Sequence, residues 1–432
     1  MPEGDFNPNS SGIAAPRVLL TDTNRWPSSA RLAIGLSKAG CHVYGVCPRR
    51  GHPLQYTRVV EQTFPYSGIR PLESLVAAIE ATQPHIIVPC DDRGVQHLHE
   101  LHARSRSLRT SGTGVAELIE FSLGPPESFP VASNRCDLLR IAGEEGVRIP
   151  DTKLLNTADD LDSWQAGHDL PWVLKGDGTF GGRGVRIAHT APEAKQCFSD
   201  ITTLFKATRA IKRTIVNRDA FWLRPWWNNY RPAVIVQSHI KGRPANCAFV
   251  SWKGEVLGCI GVEVISSEGS TGPAVVVRVV DNPEMNSASE RIARRLGLSG
   301  FYGLDFMIEE ATGRAYLIEM NPRCTPLSHL QLGAGRDLVG ALWAHLAGQP
   351  QPTTPPVTLN DLIAYFPQAL TTKSEFLPAA YVDTPRDEPA LVQDLLRPWP
   401  DRSLLYRVVS KLSSLATPAT DRKTSKHGAP LA

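Results

Sequence analysis

Residues 316–323 read YLIEMNPR. Tyr316, Leu317 and Ile318 open the stretch as a buried strand, and Glu319, Asn321 and Arg323 then fall at every second position. Alternate side chains of a strand share a face. A carboxylate, an amide and a guanidinium are therefore expected in one row after an apolar run. The sequence just upstream supplies a partner for that row. FYGLDFMI and RAYLIEMN flank EEATG as the two arms of a hairpin. Centred on Thr312, the hairpin sets Asp305 opposite Glu319, with Cβ atoms roughly 4.5–5.5 Å apart.

Two carboxylates that close, both in apolar sequence, need a cation between them or one must stay protonated. Mg2+ suits the pattern, because it takes oxygen ligands, usually one or two carboxylates plus substrate phosphates. Asp305, Glu319 and Asn321 are the candidate metal ligands, with Mn2+ as the alternative ion. Arg323 suits a transferring phosphoryl group or an acyl phosphate. The plainer reading is an amphipathic edge strand with a buried ion pair. It explains Arg323 but not Asp305 and Asn321 together.

A second stretch, KGDGTFGGRG (175–184), matches G-x-G-x-x-G through Gly176, Gly178 and Gly181. A dinucleotide fingerprint must open a helix, and a P-loop needs its lysine after the glycines. Here GVRIA follows, which is strand-like, and Lys175 precedes the glycines. No H-R-D or D-F-G follows, as a protein kinase would require. What remains is a glycine hairpin whose backbone N–H groups can approach phosphate oxygens, with Lys175 and Arg183 as added charge. A surface hairpin without ligand is the bland alternative. Five glycines in nine residues argue against it on entropic grounds.

The rest of the chain frames these stretches. With 432 residues, 42% of them hydrophobic and 21% charged, it is expected to hold several subdomains. A net charge of +3 with scattered basic residues argues against nucleic acid as a main partner. No run is apolar enough to cross a bilayer, and the polar start lacks the features of a signal peptide. The eight cysteines form no C-x-x-C pair, so buried free thiols in the cytoplasm are expected. RVLLT (17–21), CHVYGVCP (41–48) and PHIIVPCDD (84–92) alternate with helical segments, which predicts a parallel α/β unit over 17–130. His97, His99 and His102 read as a solvated helix surface rather than a metal site. Strands of an antiparallel sheet are expected at 233–240, 245–265 and 274–280, with Lys253-Gly254 as a hairpin turn. The tryptophan-rich FWLRPWWNNYRP (221–232) reads as an insertion packed on the body, or as a substrate wall. Proline-rich 349–357 marks a boundary. The tails at 1–16 and 413–432 read as disordered.

In this order the pieces resemble an ATP-grasp enzyme of the carboxylate–amine ligase or carbamoyl-phosphate-synthase type. They are an N-terminal α/β domain, a lysine before a glycine flap, a hinge strand, then D…E-x-N-x-R. The resemblance covers about residues 17–350. It implies an α/β domain at 17–130, an ATP-grasp fold at 131–350 with its flap near 152–236, and a C-terminal module at 351–412. ATP would lie clamped between two α+β subdomains, with Mg2+ on Asp305, Glu319 and Asn321. Lys175 and the flap residues Gly178, Gly181, Gly182 and Gly184 would meet the phosphates. Arg135, in SNR (133–135), stands where many members carry a second phosphate-binding lysine. VQSHIKG (236–242) resembles the adenine hinge, with Gln237 as the polar contact and the backbone of His239 and Ile240 facing the base. The acid that holds the ribose in many members is absent, since Pro244 and Ala245 occupy that stretch.

The implied chemistry turns a substrate carboxylate into an acyl phosphate, which an amine then captures. Arg323, Lys175 and Arg278 are the candidate catalytic cations. Small-molecule carboxylate and amine substrates follow, and a homodimer is a family-level expectation. Biotin-carboxylase-like carboxylation and a non-catalytic ATP sensor are the competing readings.

Overall fold

The computed structural model describes residues 13, 15–107, 113–176, 184–202, 233–269 and 272–397. The Trp222, Trp226 and Trp227 insertion, residues 1–12 and 14 of the N-terminal tail, the whole C-terminal tail, and Gly178, Gly181, Gly182 and Arg183 of the flap lie outside these residues; within the N-terminal tail the Ile13 N–H donates to Leu346 O at 3.0 Å.

The N-terminal part is the expected parallel sheet. Strands β1 (Arg17–Thr21), β2 (His42–Pro48), β3 (Val60–Tyr66) and β4 (Ile86–Pro89) lie in the order β3-β2-β1-β4. Helices α1 (Pro27–Lys38), α2 (Pro71–Thr82), α3 (Asp92–Ser107) and α4 (Thr113–Leu123) cover its faces. β3 is hard to see in sequence because none of its side chains is fully buried, as suits an edge strand. Chain order reverses between β1 and β4. Open α/β sheets bind ligands in the crevice beyond the C-terminal ends of such strands.

His97 and His102 are buried, which corrects the expected solvated surface. His97 meets the Tyr66 hydroxyl at 3.0 Å, His102 meets Glu120 at 2.7 Å, and His99 stacks on Phe129 at 4.2 Å between centroids. Amphipathic rings with local partners fill the side of this helix that packs on its neighbours.

A smaller antiparallel sheet follows, in the order β5-β8-β6-β7. It comprises β5 (Thr152–Leu155), β6 (Trp172–Gly176), β7 (Val185–Ala188) and β8 (Val234–Ser238). Helices α7 (Asp160–Gln165) and α8 (Ala191–Thr202) belong with it. Between this sheet and α4 run the short α5 (Ser128–Ser133) and α6 (Arg135–Glu144).

The largest sheet has the order β13-β12-β9-β10-β11-β14-β15. Its strands are β9 (Gly242–Trp252), β10 (Glu255–Ser267), β11 (Ala274–Val280), β12 (Gly300–Glu309), β13 (Ala315–Asn321), β14 (Leu362–Ala364) and β15 (Tyr381–Val382). Lys253 and Gly254 both have positive φ, 48° and 87°, which is the signature of a tight I′ hairpin. One face of the sheet buries Ala245, Phe249, Leu304 and Phe306 with α6 and α9 (Pro283–Leu296). The other face carries Ala248, Val250, Ile260 and Phe301. They share a core with β1, α1 and α10 (Leu338–Ala347). The segment after the proline-rich stretch joins this same sheet through β14, which pairs with β11. Two short helices, α11 (Gln368–Thr371) and α12 (Pro389–Leu396), complete it.

Gly242 joins the two antiparallel sheets, and its place is set by steric fit. A Cβ there would lie 1.9 Å from the Ile308 carbonyl oxygen, since Gly242 pairs with Glu309 where β9 and β12 meet. Gly242→Ala is therefore expected to splay these strands and cost roughly 2 kcal/mol or more. Urea unfolding followed by circular dichroism measures this, and an unchanged midpoint contradicts it.

Candidate active site

The site begins with the register of one β-ribbon. Asp305 pairs with Glu319, as expected from the hairpin centre, and Gly303 pairs with Asn321. Nearer the turn the count differs. Phe306 faces Leu317 and Ile308 faces Ala315, so the pairing slips by one residue between Asp305 and Phe306. Ile318 is the extra residue of this β-bulge. Strict alternation from the buried Ala315 and Leu317 would have carried Glu319 into the core. Instead Leu317 and Met320 are the buried pair, and Glu319 and Asn321 stay partly exposed beside Asp305.

Helix α6 brings the first cation. Asn134 caps it by accepting from the Asp137 N–H at 2.9 Å. Arg135 is therefore held in the first turn over β13, where its Nη2 donates to Glu319 Oε1 at 2.5 Å. Lys175 is the second cation, from the end of β6. It is 5% exposed, and its Nζ donates to the carbonyl of the bulged Ile318 at 3.4 Å. Gly176 next to it cannot carry a side chain, because a Cβ would lie 2.5 Å from Ile201. Its N–H closes the flap by donating to Gly184 O at 3.1 Å.

Arg323 is the third cation. Its Nη2 donates to Asn321 Oδ1 at 3.1 Å, and its Nε donates to Asp92 Oδ2 at 3.1 Å. Asp92 opens α3 at the C-terminal end of β4, so Arg323 reaches the β1/β4 crevice. The neighbouring Cys324 N–H donates to Pro89 O at 3.2 Å. Asp305 accepts from Asn246 Nδ2 at 2.7 Å and from Asn321 Nδ2 at 3.1 Å. Asn246 and Asp92 carry no local signal in the sequence. Asn246 becomes visible only once β9 is registered against β12, where it pairs with Asp305.

The charges follow from this packing. Burial, and then Glu319, push the Asp305 carboxyl up to about 6, against the two amide donors. Burial also opposes charge on Glu319, but Arg135 and Lys175 outweigh it and hold its carboxyl below the ordinary range. Burial and the nearby Arg135 pull the Lys175 ammonium down to about 8, although Glu319 and Asp305 favour its charge. Burial disfavours charge on Arg323 too, and Asp92 more than restores it.

Asp305 and Glu319 fit a hard divalent cation, being opposed oxygen donors of which one is destabilised by the other. Among the described residues no three His, Cys, Asp or Glu side chains converge. An ion held there would need further ligands from phosphate, water or an amide. Asn321 turns its NH2 to Asp305 and its oxygen to Arg323, so its carbonyl reaches a metal only if the amide rotates.

Two expected contacts are arranged differently. Arg278 does not join the cluster. Its Nε pairs with Asp361 at 3.3 Å, and it lies opposite Glu263 on β11. Asp305, Asn246, Val262 and Val279 form one cross-strand row, so Arg278, next to Val279, faces the other side of the sheet. Gln237 is 2% exposed, and its Nε2 donates to Thr152 Oγ1 at 2.9 Å. Its side chain is thus committed to β5. The main chain of His239 and Ile240, between β8 and β9, has no hydrogen-bond partner among the described residues. Free N–H and C=O groups at a hinge are what an adenine edge requires.

Residues 132–326 match the family model described as the ATP-grasp domain. This part of the chain is an ATP-grasp domain. Two carbamoyl phosphate synthase large chains from strains of Thermus thermophilus are 25% identical to it over 206 and 187 residues. These matches span 47% and 43% of this chain but only 18% and 17% of theirs. The chain thus matches less than a fifth of the length of these curated relatives. Solved structures share the fold. The biotin carboxylase domain dimer of Hydrogenobacter thermophilus 2-oxoglutarate carboxylase, with MgADP, ADP and bicarbonate, is 16% identical at a TM-score of 0.55. That likeness covers 79% of this chain and 71% of that one. N5-carboxyaminoimidazole synthetase of Staphylococcus aureus with ADP is 12% identical at 0.56, over 80% and 81%. The L-amino acid ligase of Bacillus licheniformis is 12% identical at 0.50, over 77% and 75%. No helix among the described residues is long and apolar enough to cross a membrane.

Asp305 must lose its proton to hold a metal in the ATP-grasp domain. Mn2+ affinity, read by water-proton relaxation without nucleotide, is therefore expected to fall as pH drops through about 6, approaching tenfold per unit below it. Asp305→Asn should weaken binding and flatten this dependence. A pH-independent wild-type affinity between 5 and 7.5 contradicts the assignment.

Proposed function

We propose that the protein is an ATP-dependent ligase that activates a substrate carboxylate as an acyl phosphate and joins it to an amine. The carrying observation is that Asp305 and Glu319 meet across one ribbon while Arg135, Lys175 and Arg323 converge on them from three parts of the chain. When held by Asp305 and Glu319, a divalent ion would offset the charge that develops on the transferred group.

The chain's own groups have separate tasks. Asp305 and Glu319 would hold the ion, and Arg135 and Lys175 would turn from Glu319 and Ile318 to phosphate oxygens. His239 and Ile240 would offer main-chain groups to the base. Arg323 stands between the ribbon and the β1/β4 crevice, so it would grip the carboxylate or the acyl phosphate, with Asp92 as its resting partner. The acceptor would enter from that crevice. Such a site works by positioning and by preorganised charge rather than by covalent catalysis.

Phosphate release from ATP, assayed against pooled amino acids, other carboxylic acids and amines, tests the reading. Release should require an acid and rise further with an amine. Asp305→Ala and Glu319→Ala should each lower kcat by about 10²-fold or more, and Arg323→Lys should also fail because it loses the planar fork. A bicarbonate arm separates carboxylation, since stimulation by bicarbonate without any other acid would favour that chemistry. Release indifferent to every acid would sink the ligase reading.

A further inference from the structure

Two further acids meet below the β1/β4 crevice, outside the Asp305–Glu319 ribbon. Asp22 directly follows β1, Asp91 follows β4, and the parallel pairing of these strands brings the two carboxyls into contact. Their surroundings differ. Asp91 Oδ2 accepts from the Thr23 N–H at 2.6 Å, the Thr23 hydroxyl at 2.9 Å and the Asn24 N–H at 3.1 Å, and its Oδ1 accepts from the Gly94 N–H at 2.7 Å. Four donors are the environment of a carboxylate anion. Asp22 is 0% exposed, and neither of its oxygens receives a hydrogen bond among the described residues. A charged carboxyl buried in that way is costly.

A proton resolves the contrast. As a neutral acid Asp22 is itself a donor, and Asp91 and Ser29 lie within its hydrogen-bonding reach. The Ser29 hydroxyl already donates to Trp26 O at 3.0 Å, so towards Asp22 it accepts. His52 supplies no positive charge instead. Its Nδ1 accepts from the Leu54 N–H at 3.3 Å, and burial pulls its imidazole down to about 4. The single ring proton therefore sits on Nε2, which lies 3.0 Å from Asn24 O and 3.1 Å from Asp22 Oδ2. Burial raises both carboxyls, that of Asp22 to about 7, and Asp22 adds to the rise on Asp91.

The other groups around the pair do not displace this proton. Arg323 is the cation whose field reaches Asp22, and it is already bonded to Asp92 and Asn321. Burial pushes the Cys47 thiol up to about 12 and the Cys90 thiol well above its ordinary value, so both are neutral. Arg25 and Asp394 of α12 pair with each other at 2.7 Å and bear on His52. Asn24 is the residue on which the contacts converge. Asp91 accepts from its N–H, and its C=O meets the His52 ring.

We propose that Asp22 and Asp91 share one proton that latches the β1–α1 loop at Thr23 and Asn24. With the proton on Asp22, Asp91 keeps its four donors and His52 keeps the Asn24 carbonyl. When the proton leaves, the two carboxylates repel each other. Asp22 then draws on the nearest donor, the His52 Nε2–H, which must let go of Asn24 O. Both effects act on Asn24, so the loop is released from its two ends. The folded acid holds its proton more tightly than the unfolded one, so the latch is complete in the acidic range and is lost as pH rises through about 7. The loop borders the crevice that Arg323 and Asp92 face. The latch uses no nucleotide, metal or substrate, so it stands whatever the reaction at the ATP-grasp domain.

Infrared spectroscopy and hydrogen exchange of the full chain, without nucleotide or divalent metal, test this. The Asp305→Asn chain, which lacks the raised acid of the ribbon, should show the C=O stretch of a neutral carboxylic acid at about pH 6 and lose it by about pH 8.5. Adding Asp22→Asn should abolish the band. In exchange read by mass spectrometry and corrected for the intrinsic rate, the wild-type peptide carrying Thr23 and Asn24 should lose about tenfold in protection between these pH values. Asp22→Asn, whose amide donates as the neutral acid does, should stay protected at both. The proposal is overturned if the Asp305→Asn chain shows no neutral carboxyl at about pH 6, or if wild-type protection at Thr23 and Asn24 is the same at both pH values. Neither outcome requires a change at Asp22. A folded Asp22→Asn chain that loses protection as the wild type does also overturns it.

Discussion

Two acids forced together in a poorly solvated ribbon are the constraint around which this molecule is arranged. Asp305 and Glu319 face each other because β12 and β13 pair as they do. Like charges so placed are costly unless cations are supplied. They arrive from separate parts of the chain: Arg135 from a helix start, Lys175 from the end of a strand in the smaller sheet, and Arg323 from the exit of β13. Each cation links its own element to the ribbon, so the electrostatic demand of one pair also ties the subdomains together.

The charge network is balanced. Arg135, Lys175 and Arg323 carry three positive charges, and Asp305, Glu319 and Asp92 can carry three negative ones. That balance offsets the mutual repulsion of the acids with groups of the chain itself. Arg135 rests on Glu319 and Arg323 rests on Asp92. Under the proposed function, these are the carboxylates that phosphate oxygens and a substrate acid would replace. Arginine at position 135 brings a planar fork where an ammonium would bring a point charge. It can therefore hold one oxygen while releasing another.

Much of this could be read from the residues, and the failures share a cause. Short-range signals held up. The Lys253-Gly254 turn, the parallel α/β alternation and the facing acids each depend on neighbours in sequence. Contacts set by strand order did not announce themselves. Asn246 lies some sixty residues from Asp305 and looks like any polar strand residue until the sheet is assembled. Arg278 looked suitable by type, yet its position in the row turns it to the opposite face. Gln237 stands in the hinge strand, but a neighbouring threonine holds its amide. His97 and His102 looked solvated because their polarity hid how well rings with a local partner fill a helix interface.

The extra residue at Ile318 gives the ribbon a parity. On the turn side of it, odd-numbered side chains of β13 point to the core, and beyond it they point to the site. Residues added or lost within the turn at 310–313 leave both sets where they are. Loss of one residue between Leu317 and Met320 would instead exchange inside for outside over the end of the strand, sending the acid and the amide into hydrocarbon and a methionine toward the phosphates. Related chains can therefore vary freely in the length of this loop. The count of residues from its last core leucine to its acid is a number that descent must hold constant.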